Sequence, residues 1–181
     1  MSRKCGVIPL CLLGAAVAFA MYAVIRHDDR EPDGPGNTRA LVALNNEMIR
    51  AHVRGDLAGA ERTARKILSQ SVWRTFVPAN AVMGSVLAQK GEYAAAAAFF
   101  KAALSGKGAA APQPVVMNDY ADTLRHLKRY DEAEAFARRA IAASGGKAEL
   151  FKLTLAQIER DAGKDPGGLS PLLARYRQFD K

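Results

Sequence analysis

Residues Lys90 to Leu104 read KGEYAAAAAFFKAAL, five alanines in succession followed by two phenylalanines. Alanine is the strongest helix former, so the run predicts a helix. Propensity alone would make it filler. A second reading makes it one wall of a close helix-on-helix contact, with phenylalanine filling the space beyond. What lies about 36 residues to either side decides between them.

Three segments align: LNNEMIRAHVRGDLAGAERTARKIL (44–68), NAVMGSVLAQKGEYAAAAAFFKAAL (80–104) and MNDYADTLRHLKRYDEAEAFARRAI (117–141). Each predicts an amphipathic helix, a short polar turn and a second amphipathic helix. The turns fall at Gly55, Gly91 and Lys128. Leu57, Tyr93 and Tyr130 follow them, then Ala60, Ala96 and Ala133, then Ala64, Phe100 and Ala137. Ile67, Ala103 and Ala140 close the second helices, while Met48, Gly84 and Ala121 align in the first, behind Glu47, Met83 and Tyr120.

This pattern resembles the tetratricopeptide repeat family, whose period is about 34 residues. The resemblance covers residues 41–141. The middle segment fits best, through Met83, Gly84, Tyr93, Ala96, Phe100 and Ala103; the first departs, with Glu47 and Met48 where the family has a large apolar and a small residue. The resemblance implies that Gly84 and Ala96 form the close crossing, with Phe99 and Phe100 filling the space toward the next repeat. It also implies that first helices line a groove for an extended peptide or a helix. The inward positions are then Asn45, Ile49 and His52, Ala81, Ser85 and Gln89, and Asn118, Asp122 and Arg125. Members that clamp a terminal carboxylate use lysines, arginines and asparagines there. Asn45 fits that scheme, whereas Ile49, Val82, Val115 and Asp119 do not.

Breakers frame the units. Pro78 and Pro114 stand at the starts of first helices, and Gly106, Gly108, Gly145 and Gly146 follow second helices. Residues 148–164 place Phe151, Leu155, Ile158 and Ala162 at helical spacing. Ser170 and Pro171 then open a short final helix, Leu172 to Phe179. The expected fold is an all-α solenoid: three helix pairs over 38–146, and a degenerate fourth pair over 147–181 that caps the open end.

Ahead of this lies an address. Gly6 to Ile25 carries no charge, and at about 1.5 Å per residue it would span roughly 30 Å, the thickness of a bilayer core. Arg3 and Lys4 before it hold residues 1–5 in the cytoplasm and send the rest across. Residues 26–37, with Pro32, Gly34, Pro35 and Gly36, form a linker. The expectation is a single-pass cell-membrane protein whose helical domain faces the periplasm or exterior. The alternative is secretion after cleavage near Ala20, since Ala18-Phe19-Ala20 offers a signal-peptidase site. Leu10 before Cys11 argues against a lipoprotein, and both cysteines lie in this leader.

Chemistry is sparse. His27, His52 and His126 share no metal-ligand spacing, and read as solvated histidines. SGGKAE (144–149) lacks the glycine and the Ser or Thr of a phosphate loop. Asp119 and Asp122 read as exposed helix acids. No enzyme, metal or cofactor is expected. Net charge is +8, with a basic surplus between Arg39 and Lys107. Few aromatics accompany those cations, so anionic lipid is a minor possibility and nucleic acid is not expected as a partner. The reading is a membrane-anchored scaffold or adaptor docking a protein or peptide. A chaperone or assembly factor for an envelope or secretion complex is the alternative.

Overall fold

The computed structural model describes residues 38–105 and 113–164, which form seven α-helices and no strand. They are α1 (Thr38–Val53), α2 (Leu57–Leu68), α3 (Val77–Gln89), α4 (Tyr93–Ser105), α5 (Pro114–His126), α6 (Tyr130–Ala143) and α7 (Glu149–Asp161). The span expected over 6–25, its flanks 1–5 and 26–37, and the final helix Leu172 to Phe179 lie outside the described residues. None of the described helices is long and apolar enough to cross a membrane.

The three expected turns share one geometry. Gly55, Gly91 and Lys128 have φ of +76°, +81° and +59°. The following amide reaches back five residues in each case: Asp56 N to Ala51 O, Glu92 N to Leu87 O and Arg129 N to Leu124 O, all 2.9 Å. This is a Schellman cap, which satisfies a helix's last carbonyls through one left-handed residue. Asp56 also caps α2, its Oδ1 accepting from Gly59 N at 2.8 Å. Pro78 and Pro114 fall in the first turns of α3 and α5, where no intrahelical N–H is needed.

Each helix packs on the next, and α1 also touches α3, α3 touches α5, and α5 touches α7. First helices therefore form one continuous wall with the second helices behind them. The core is built from small residues at the aligned positions. Ala60, Ala96 and Ala133 are all 0% exposed, as are Ala64, Ala103, Ala121 and Ala137. Phe100 is the large partner: a Cβ built on Gly84 would lie 2.8 Å from its ring, so the glycine seats the phenylalanine directly. The Phe100 ring also reaches toward the next repeat, 6.4 Å from that of Tyr120. Phe99 is only partly buried and packs on the same cluster.

One expectation is corrected. The helix before the Gly91 turn was expected to be amphipathic, yet α3 is buried on nearly every side, from Ala79 through Leu87 without a break. Its position explains this, because α1, α2, α4 and α5 surround it. Asn80 survives there because its Nδ2 donates to Arg74 O and Phe76 O, at 3.1 and 3.0 Å, pinning the loop before α3. The loop itself contains a 3-10 turn, Ser71–Trp73.

Candidate functional site

The wall of first helices carries all nine expected groove residues, but the structure divides them by depth. Asn45, Ala81 and Asn118 occupy equivalent places on α1, α3 and α5 and are 0%, 1% and 5% exposed. Ser85 is also buried. These four form a floor rather than an open surface. Ile49 is half-buried against the core cluster. His52, Gln89, Asp122 and Arg125 remain at least partly accessible.

Two groupings result. On α1 and α3, Gln89 Nε2 donates to Ser85 Oγ at 3.3 Å, and that oxygen lies 3.5 Å from His52 Nε2. His52 Nδ1 is buried without a hydrogen-bond partner, and burial lowers the imidazole pKa below its ordinary value. A serine nucleophile activated by histidine requires an acid on that nitrogen, and none of the described residues supplies one.

The second grouping joins α5 to α7. Arg125 donates through Nε to Asp122 Oδ1 at 2.9 Å and through one terminal nitrogen to Asp161 Oδ2 at 2.7 Å. Its other terminal nitrogen lies 2.9 Å from His126 Nε2. The His126 ring stacks on Tyr93, with centroids 4.1 Å apart and planes at 3°. Burial lowers the His126 pKa, the Asp122 carboxylate opposes that, and the Arg125 charge adds to it. Neither His52 nor His126 is thus simply solvated, as the sequence had suggested, and the two do not meet.

Asp119 is the sharpest departure from expectation. Although the residue retains some exposure, its Oδ2 is sealed from solvent and has no hydrogen-bond partner. Burial raises its pKa to about 7, aided by the Asp122 charge and opposed by the neighbouring Asn118 side chain. Asn118 Oδ1 is unpartnered too, as are both amide atoms of Asn45. Sequence reasoning placed Asp119 on the surface because neither neighbour in chain order reveals what packs above it. Asp161 was likewise missed as a wall residue, and Tyr93, at the start of α4, as the ring that stacks on His126. Tyr93 was read only as a turn-following position, and the charge at 161 could be paired with Arg125 only once the α5–α7 stagger was known. Among the described residues no cluster of His, Cys, Asp or Glu could hold a metal ion.

The family model for the tetratricopeptide repeat matches residues 77–105 and 116–145. These stretches are α3–α4 and α5–α6, so the two central helix pairs are similar to the tetratricopeptide repeat, and α1–α2 and α7 continue the same packing on either side. No curated protein matches the chain.

Proposed function

We propose that the protein is a non-catalytic docking scaffold. A partner peptide or helix lies along the wall of first helices, and the segment Gly6–Ile25 anchors the chain in a membrane with its repeats on the non-cytoplasmic side. The observation that carries this reading is the continuous wall of first helices, on which His52, Gln89, Asp122 and Arg125 stay at least partly accessible. Gln89, Asp122 and Arg125 provide the accessible rim for such a partner. The anchor raises the local concentration of the groove for anything held at the same membrane.

Photo-crosslinking in the native host tests the docking role. A photoreactive residue replaces Gln89 or Asp122 on the wall, with controls at Arg65 and Arg138 on the second helices. Capture of one protein from the wall positions alone is the expected result. Capture only from the controls, or from none of the four in a folded protein, would overturn it. Mass spectrometry of the native chain tests the anchor separately: the intact leader in the membrane fraction is expected, and a chain beginning at Met21 would replace the anchor with secretion.

A further inference from the structure

The second helices enclose a feature that the docking role does not use. Between α4 and α6 lies a cleft of about 550 Å³, to which α1, α3 and α7 contribute no residue. One wall is made by Ala94, Ala97 and Ala98. The opening alanine run therefore does two jobs: Ala96 packs in the core, while these three leave room that larger side chains would fill. Opposite them stand Tyr120 and Phe136, edge to face at 4.7 Å and 68°, with Leu104 beside them.

The polar groups are unbalanced. Arg129 and Glu132 neutralise each other through two 2.7 Å hydrogen bonds. Among the described residues Lys101 makes no close ion pair, although its charge also acts on Glu132, and the Arg139 guanidinium lies over the Phe136 ring, 4.9 Å from its centroid, with no carboxylate partner there. Arg129, Lys101 and Arg139 against Glu132 leave a net positive charge at the cleft. Tyr120 is 5% exposed and lines the cleft, yet its hydroxyl makes no hydrogen bond to a described residue. That hydroxyl is not among the sealed polar atoms, so it stays open to a ligand atom in the cleft.

We propose that the cleft binds a small aromatic carboxylate. The ring lies between the alanine wall and the Tyr120–Phe136 pair, and the carboxylate takes Lys101, Arg139 and the Tyr120 hydroxyl. The volume falls in the range of small-molecule sites, roughly 300–1,000 Å³. A flat body suits a wall of methyl groups, and one negative charge answers the cationic surplus without cancelling the Arg129–Glu132 pair. Of the first helices only α5 contributes, through Tyr120, and none of the nine groove residues lines the cleft, so the site holds or fails independently of the docking role.

The test titrates a fluorinated naphthoate into the full-length protein and reads fluorine NMR linewidths, with the corresponding naphthalenemethanol as the neutral isostere. Saturable binding of the naphthoate is expected, at least about tenfold tighter than the alcohol, as a charge-assisted contact provides. Ala98→Leu fills the cleft from an exposed position and should abolish binding with an unchanged melting temperature. Lys101→Ala should weaken it about tenfold, and it decides the matter if Ala98→Leu melts early. Equal affinity for the alcohol, undiminished binding to folded Ala98→Leu or to Lys101→Ala, or no saturable binding at all would overturn the proposal.

Discussion

Ala95 and Ala96 are sequence neighbours with opposite surroundings: Ala95 is exposed and Ala96 is 0% exposed. Ala96→Leu should overpack the contact between α3 and α4 and cost about 1–3 kcal/mol. Ala95→Leu should leave the melting temperature within a degree or two, and equal losses for the pair would refute the alignment. The small residues were readable because they recur at every repeat. Asp119 was not, since its burial comes from neighbours on other helices. Its carboxyl has an ordinary pKa of 3.8 and a folded value of about 7. The folded state therefore binds the extra proton between these values, and this group's contribution to stability falls as pH rises from about 4 to 7, then levels off. Asp119→Asn cannot ionise. In urea denaturation it should exceed the parent by about 1–3 kcal/mol at pH 8 and lose that advantage at pH 4. A constant difference across that range would rule out the buried carboxylate as the cause.

At the scale of elements, the turns repeat a backbone rather than a residue. Lys128 holds a left-handed φ of +59° where the two preceding turns use glycine. Its Cβ makes that conformation unfavourable by roughly 1 kcal/mol. Lys128→Gly should stabilise the chain by about 0.5–1 kcal/mol, visible as a higher urea midpoint. No gain would mean that the lysine side chain offsets the strain. The position of this turn was legible in the sequence because the flanking apolar residues kept their spacing through it. The partners of α5 were not legible. Arg125 meets Asp161 across 36 residues, and that meeting depends on how far α7 slides along α5. The cleft shares this limit: helix propensity accounted for Ala94, Ala97 and Ala98 until α6 was seen facing them.

For the whole molecule, stacking makes nearly all packing local to adjacent pairs. Charged groups stitch the pairs on the outside: Lys90 to Glu61, Arg138 to Glu159 at 2.8 Å, and Lys164 to Asp131 at 2.9 Å. Exposed pairs of this kind add little stability, typically under about 1 kcal/mol, and they act here mainly on the stagger of neighbours. The wall of first helices is then a composite surface, whose shape is set by three contacts between first helices rather than by any single pair.

The enclosure of α3 on nearly every side carries a kinetic consequence. A linear stack opens from its ends, because a terminal pair has one neighbour to leave and an interior pair has two. Water reaches the α3 amides only after α1–α2 has detached or the interior has come apart. Backbone deuterium uptake should therefore be graded along the chain, fast in α1, slowest in α3 and intermediate in α7, instead of uniform as in a domain that opens all at once. If α1 and α3 exchange at one rate, the degenerate first pair is bound into the same cooperative unit as the two matched repeats. If they separate, α1–α2 is the part of the wall that a partner can move without unfolding the rest.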